Sequence, residues 1–248
     1  MRTNVRLDMR EHPSNPVRDP DAKIRLLLRH AARAFAEKGF EGASMRDISH
    51  ASRVSLAGLY YYFESKQAIL YQIQVRAFSS LLAQLETRLE KTSDPVERLR
   101  ELVRNHVSYF LSHPWETKVL AHEEDALEEP LRKEVAEIKR RYYQVARGVL
   151  HGLTGGGRGG RVNERVAILS LFGMMNWVYK WYSPKADPPA GRLADMISAI
   201  FLRGVAMPPG KTEQSIFAPR AGTGREDGAR GGIARSRILA TARQEDLK

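Results

Sequence analysis

Three consecutive tyrosines and a nearby lysine within residues 44–66 could bind a nucleic acid. Tyr60, Tyr61 and Tyr62 stand side by side, and Lys66 follows shortly after them. Tyrosine hydroxyls can reach phosphate oxygens, and tyrosine rings can contact thymine methyl groups in the major groove of DNA. A lysine ammonium beside a helix N-terminus favours a phosphate for electrostatic reasons. This stretch therefore predicts a surface that binds double-stranded DNA.

A short helix is predicted immediately before the tyrosines. Ser44 is a favourable N-cap residue, and Asp47 follows it at capping-box spacing, so the helix is expected over about 45–51. Met45, Ile48 and Ala51 recur at helical spacing and predict its buried face.

A second short helix is predicted over 56–63, with Ser55 as its N-cap residue and Leu59 and Phe63 facing inward. Two short helices joined by a tight turn form a helix-turn-helix, whose second helix enters the major groove. Gly58 would let the backbone approach the DNA closely. The predicted DNA contacts are Ser44, Arg46, Ser55, Ala57, Gly58, Tyr60, Tyr61, Tyr62 and Lys66.

The run over 24–70, and above all VSLAGLYYYFESKQAIL, resembles the N-terminal domain of the tetracycline-repressor-like (TetR) family of bacterial transcription regulators. The resemblance implies an all-α fold, in which a three-helix DNA-binding domain over 20–66 precedes a larger helical effector-binding and dimerisation domain over 67–206. Arg53 stands where the family usually has a glycine. A left-handed arginine costs about 1 kcal/mol relative to glycine, so a slightly different turn geometry is expected.

The composition predicts one large or two small soluble domains. The chain has 248 residues, no cysteine, 42% hydrophobic residues and 28% charged residues. A disulfide or a thiolate metal site is therefore excluded. No apolar stretch of signal-peptide length opens the sequence, so a cytoplasmic location is expected. The net charge of +11 suits a polyanionic partner, but it is spread along the whole chain and does not locate the DNA site.

Both ends of the chain are predicted to be disordered. Residues 1–19 carry arginines among prolines, with too few apolar residues to pack, and form a basic arm that either lies along DNA or is simply solvated. Residues 207–248 form a basic tail rich in proline, glycine and arginine. The glycine-rich run at 152–161 lacks the ending of a phosphate-binding loop and is expected to be a connector.

Apolar periodicity predicts further helices, which lie at about 21–38, 65–90, 95–113, 115–126, 131–150, 166–182 and 189–205. The helix at 166–182 is apolar on nearly all sides and must be buried all round. It is too short to span a bilayer and is interrupted by Ser170, Asn176 and Lys180, so a membrane partner is not expected. Burial in a homodimer interface and a ligand pocket explains it better. The resemblance implies an intersubunit four-helix bundle, and two-fold symmetry would match a palindromic operator.

The large domain is predicted to enclose a small effector. Long apolar helices that carry aromatic side chains suit a largely apolar pocket. His106 lies on an apolar stripe, where it is either a core histidine or an effector contact. The predicted effector-binding residues are His106, Phe110, Trp115, Arg140, Tyr143, Arg147, Met174 and Trp177.

The stretch FGMMNWVYKWY, together with HPW at 113–115, resembles the TetR subgroup that senses fatty acyl-CoA or steroid-degradation CoA thioesters. The resemblance implies an acyl chain between the helices. Some of Arg140, Arg141, Arg147 and Lys180 would then meet the phosphates, which guanidinium groups bind well. The alternatives are another apolar effector, or no effector and an aromatic core stripe with solvated arginines.

A homodimeric repressor, released from a palindromic operator by an apolar effector, is the function that the sequence favours. An enzyme with a helical pocket is the first alternative, but no paired carboxylates, Ser/His/Asp set or metal motif stands at diagnostic spacing. The acidic run at 122–125 lacks the HExxH pattern, so neither a metal nor a cofactor is expected. A nonspecific DNA-binding protein is the second alternative, which the charge would permit.

Overall fold

The computed structural model describes residues 20–123, 125–155 and 163–206. All regular secondary structure in these ranges is helical, which confirms the predicted all-α fold. The predicted arm at 1–19, the tail at 207–248 and most of the glycine-rich run lie outside the described residues. The helices are α1 Pro20–Lys38, α2 Met45–Ser52, α3 Leu56–Tyr62, α4 Lys66–Leu89, α5 Pro95–Ser112, α6 Pro114–His122, α7 Leu131–Thr154, α8 Glu164–Asn176, α9 Val178–Trp181 and α10 Ala190–Ala206.

Helices α1 to α3 are held by one buried group of side chains, the N-terminal cluster. Leu27 and Phe35 of α1, Ile48 of α2 and Leu59 of α3 form its centre. Serine caps fix where the two short helices begin, since Ser44 and Ser55 each accept a backbone N–H of the first turn. Ala51 is exposed, so its predicted place on the buried face of α2 is wrong.

The turn between α2 and α3 is left-handed at Arg53. Its backbone has φ 54° and ψ 32°, and its N–H donates to the carbonyl oxygen of His50 over 3.3 Å. Arg53 therefore adopts the conformation that glycine would take most readily, and the predicted change of turn geometry is not needed to accommodate it.

Helix α4 joins two buried clusters. Ile69 and Ile73 near its N-terminus belong to the N-terminal cluster. Leu81 and Leu85 belong to a larger C-terminal cluster, which also takes side chains from α5, α7, α8 and α10. A movement of α4 would consequently disturb both clusters.

The predicted helix at 166–182 is two helices, α8 and α9, that meet at Trp177. Its predicted burial on all sides is wrong for one protomer, because Val166, Leu169 and Trp177 are exposed. Ile168, Leu171 and Met175 form the face that packs into the C-terminal cluster. No helix in the described part of the chain is long and apolar enough to cross a membrane.

Candidate nucleic-acid interface and effector cavity

Helix α3 presents two of its three tyrosines to solvent. Tyr61 is 82% exposed and Tyr60 is half exposed. Tyr62 is half buried and packs against the N-terminal cluster, so its predicted outward position is wrong. Its ring meets the Tyr61 ring edge to face, with centroids 5.0 Å apart. Tyr62 therefore supports Tyr61 from behind, at the geometry that aromatic pairs prefer.

Gly58 is favoured by close packing inside the motif. Ser55 Oγ accepts the Gly58 N–H over 3.0 Å. A Cβ added at Gly58 would lie 3.0 Å from Val54 Cγ1 and 3.1 Å from Ser55 Oγ, closer than ordinary contact. The absence of a side chain thus lets α3 begin directly after the turn, which is a structural reason for glycine in addition to the predicted approach of DNA.

Lys66 is engaged inside the protein. Its Nζ donates to the carbonyl oxygen of Phe40 over 2.7 Å and lies 4.3 Å from the centroid of the Phe40 ring. The side chain is only 24% exposed. This geometry contradicts the expectation of an ammonium free to meet a phosphate, because Lys66 ties the start of α4 to the loop after α1.

The capping box at the start of α2 is electrostatically reinforced. Asp47 accepts the backbone N–H of Ser44 over 2.8 Å and pairs with Lys38. Hydrogen bonds from Lys38 and Ser44 hold the pKa of Asp47 well below its usual range. Ser44 is thus occupied in capping, while Arg46 and Arg53 remain exposed on the same motif. Sequence reasoning missed Arg53 as a surface cation, although its place directly before α3 was a usable signal.

A cavity of about 420 Å³ lies among α4 to α9. It is lined by Phe78, Leu81, His106, Phe110, Leu120, Ala121, His122, Lys139, Tyr142, Tyr143, Phe172, Asn176, Trp177 and Tyr179. Four of the predicted effector residues are among them: His106, Phe110, Tyr143 and Trp177. Asn176 also lines the cavity, although sequence reasoning used it only as an interruption of the apolar run and did not assign it to the site.

The other predicted effector residues lie elsewhere. Trp115 packs against the N-terminal cluster, under the guanidinium of Arg33 at 5.5 Å. Met174 is half buried against the C-terminal cluster and does not line the cavity. Arg140 pairs with Glu137 over 2.6 Å outside the cavity.

Arg147 is exposed on α7 and does not line the cavity either. The two arginines and Trp115 were assigned from residue type and from the resemblance to the acyl-CoA-sensing subgroup, and none of the three lines this cavity.

His106 forms the polar end of the cavity. It is 3% exposed, and its ring stacks on Phe110 with centroids 4.1 Å apart. Its Nδ1 lies 3.1 Å from Tyr142 Oη, and its Nε2 lies 2.9 Å from Asn176 Oδ1. Burial lowers the pKa of His106 to about 4, although the hydrogen bond to Asn176 acts in the opposite direction. The imidazole is therefore uncharged at neutral pH, and both its nitrogens are occupied.

No group of three potential metal-ligating side chains occurs in the described ranges. His106 is buried with both ring nitrogens hydrogen-bonded, and it also lines the cavity. The sequence had left open whether it is a core histidine or an effector contact, and the structure is compatible with both roles.

The loop after α6 connects the cavity to the segment between α1 and α2. His122 lines the cavity, and the next residue, Glu123, accepts the backbone N–H of Phe40 through Oε1 over 3.0 Å. Gln74 of α4 donates to the Glu123 carbonyl oxygen over 2.9 Å. A displacement of α6 by a ligand would therefore act directly on the segment between α1 and α2.

Helices α8 to α10 leave large apolar side chains exposed. Val166 and Leu169 lie on α8, Trp181 on α9, and Met196 and Ile200 on α10. Ile200 is 62% exposed. Large exposed apolar side chains grouped on a few helices are typical of interaction surfaces when they form one patch.

Both parts of the structure match models of one protein family. Residues 27–73 match the bacterial regulatory proteins of the tetR family. Residues 92–205 match the C-terminal domain of tetracyclin repressor-like proteins. NicS of Pseudomonas putida, named an HTH-type transcriptional repressor, is 32% identical over 98 residues, which are 39% of this chain and 46% of NicS.

Solved structures extend the similarity over most of the described chain. PfmR from Thermus thermophilus, a TetR family transcriptional regulator, is 30% identical with a TM-score of 0.65, over 71% of this chain and 97% of PfmR. AibR, solved with isovaleryl coenzyme A and operator DNA, is 28% identical with a TM-score of 0.63, over 72% of this chain and 97% of AibR. NicS and PfmR are named as transcriptional regulators, which confirms the expectation that this chain is a regulator and not an enzyme. The chain belongs to the TetR family of bacterial transcriptional regulators.

Proposed function

We propose that this chain is a homodimeric repressor that binds a palindromic operator through α2 and α3 and releases it when a small apolar effector enters the cavity. The observation that carries the proposal is the short path from cavity to DNA-binding helices. One residue separates the cavity-lining His122 from the backbone of Phe40, which Glu123 holds by a hydrogen bond. Displacement of this contact by an effector is proposed to weaken DNA binding, and linkage then requires that DNA weaken effector binding by the same factor.

The proposed DNA surface is the exposed side of the motif. Tyr60 and Tyr61 on α3 supply hydroxyls and rings for the major groove. Arg46 and Arg53 supply guanidinium groups for phosphates or base edges. Ser44, Ser55 and Ala57 complete this surface as exposed small residues at the two helix starts. Lys66 and Tyr62 act behind it, since their side chains are engaged within the protein.

The proposed dimer forms through the apolar faces of α8 and α10. Leu169, Met196 and Ile200 are exposed in one protomer, and a second copy would cover them. A two-fold interface places both recognition helices on one side of a duplex, which matches a palindromic operator.

An acyl-CoA thioester is the candidate effector within this proposal. The acyl group would occupy the cavity, and the nucleotide phosphates would lie outside. Arg140 does not line the cavity, and its guanidinium pairs with Glu137. Lys180 is better placed, because its Nζ lies 5.8 Å from the Trp177 ring and 5.5 Å from the Tyr179 ring, and both rings line the cavity. The bound isovaleryl coenzyme A of AibR supports this ligand class.

Binding to a selected duplex and to a random duplex over a salt series tests the proposal. A specific regulator should bind the selected duplex at least about a thousandfold more tightly at physiological salt. If the two duplexes bind with equal affinity, and both affinities fall as the salt concentration rises, the chain is a nonspecific DNA-binding protein. No binding to any duplex would leave only the enzyme alternative.

A further inference from the structure

We propose that the part of the effector inside the cavity is an aromatic or alicyclic ring that bears an uncharged oxygen, and that Asn176 beside His106 binds this oxygen. The inference deepens the proposed function and rests on it. It concerns the ligand class that the cavity selects, whatever group extends from the ring into solvent.

The walls of the cavity favour a ring. Phe172 stands among three other rings, with centroid distances of 5.9 Å to His106, 5.9 Å to Tyr142 and 6.3 Å to Tyr143. Phe110 and Trp177 complete an aromatic lining. At these spacings the rings pack on one another as one aromatic wall, against which the face of a cyclic ligand can lie. A ring also loses little conformational freedom on binding, whereas an alkyl chain must fix many torsions.

Asn176 offers a hydrogen-bond donor at the edge of this aromatic space. Its Oδ1 is 2.9 Å from His106 Nε2, and this contact orients the amide. Within the described residues, its Nδ2 makes no hydrogen bond to another protein group, and the residue lines the cavity. Tyr142 holds His106 from the other side over 3.1 Å. The three side chains thus present a fixed donor to a ligand carbonyl or hydroxyl oxygen.

The charges around the cavity exclude a charged group at this end. The described lining contains no carboxylate, so a cationic ligand would find no counter-ion. His106 is uncharged, so a carboxylate beside it would be desolvated without a cationic partner. Lys139 also lines the cavity, and His122 is hydrogen-bonded to Tyr179 over 3.0 Å.

A carboxylate ligand would bind in a different orientation. Lys139 Nζ lies 5.1 Å from the Phe78 ring, and Lys139 precedes Tyr142 and Tyr143 by about one turn of α7. A ligand carboxylate would turn toward Lys139 and away from His106. The two orientations can be separated by experiment.

Competition against a fluorescent naphthyl ketone dye tests the inference on the full chain. Acetylnaphthalene combines a ring with an uncharged oxygen, naphthoate replaces the ketone by a carboxylate, and dodecanone replaces the ring by a chain. Acetylnaphthalene should bind at least about tenfold more tightly than naphthoate or dodecanone, the worth of one hydrogen bond or of the ordering of a flexible chain. Comparable or tighter binding of naphthoate or dodecanone overturns the proposal.

Variants assign the oxygen to its donor. Asn176→Leu should weaken the binding of acetylnaphthalene about tenfold. The binding of ethylnaphthalene, which lacks the oxygen, should stay unchanged. His106→Phe should act in the same direction by releasing the Asn176 amide. Asn176 is exposed at the cavity edge, so we expect Asn176→Leu to fold. The test therefore stays decisive even if His106→Phe does not fold.

Equal weakening of both naphthyl compounds by Asn176→Leu would contradict the assignment of the donor. If naphthoate binds most tightly, and Lys139→Met abolishes its binding, the ligand lies with its carboxylate toward Lys139. That result would overturn the proposal. If none of the compounds binds while the chain still prefers one duplex, this inference fails and the proposed repressor stands.

Discussion

The DNA-binding helices and the cavity are built in different ways. Helix α3 has only seven residues, and the Ser55 cap and the single buried Leu59 fix its position. The cavity instead lies where six helices meet, and its polar end is assembled from α5, α7 and α8. Local signals thus define the proposed DNA surface, while long-range packing defines the proposed ligand site. A small motif of this kind should lose function through single substitutions that the larger domain tolerates.

Removing the buried anchor of α3 should have the largest effect. Leu59→Ala should lower the free energy of unfolding by about 3 kcal/mol, because Leu59 is fully buried and its truncation leaves a cavity. Urea denaturation followed by circular dichroism measures this value. Leu26→Ala, at an exposed leucine of α1, is the matched control and should change stability by less than about 0.5 kcal/mol. Similar losses for both variants would contradict the role of Leu59 as the anchor.

Removing the most exposed tyrosine should separate function from folding. Tyr61→Ala should weaken binding to the selected duplex by about 2 kcal/mol and reduce the preference over random DNA. Stability should change by less than about 0.5 kcal/mol, since Tyr61 is largely solvated. Fluorescence anisotropy with both duplexes measures the affinities. Unchanged affinity would mean that α3 does not enter the groove.

Lys66→Met tests whether the lysine acts within the protein or on DNA. The internal assignment predicts a loss of about 1 kcal/mol of stability, because the carbonyl of Phe40 loses its charged donor. Affinity for DNA should stay close to that of the unmodified chain once both are fully folded. A uniform loss of affinity for every duplex, without loss of stability, would restore the phosphate contact that the sequence suggested.

Breaking the path between the two regions should have the smallest effect. Glu123→Ala removes the acceptor of the Phe40 N–H and should reduce the effector-induced change of DNA affinity by about 0.6 kcal/mol. Asp125→Ala, an exposed acidic neighbour in the same loop, is the matched control. Titrations of DNA with and without effector give the coupling for each variant. Equal coupling in Glu123→Ala and Asp125→Ala would exclude this route.

The starts of α2 and α3 were predictable because serine caps act within one turn. The inward position of Tyr62 was not predictable, since on so short a helix it depends on how α3 packs against the N-terminal cluster. The break at Trp177 likewise depends on how α8 and α9 pack against α5 and α6 rather than on the uniformly apolar sequence. Trp115 and Arg140 had suitable chemistry for a ligand, but only the tertiary structure shows that neither residue lines the cavity.

The central claim is that the cavity and the DNA surface oppose each other through the fold. Its most direct test is the dissociation constant for the selected duplex, measured while the cavity is saturated with the acyl-CoA thioester that most raises the melting temperature. The claim predicts that saturation weakens DNA binding by about 5- to 150-fold. A dissociation constant that stays unchanged at saturation would contradict it.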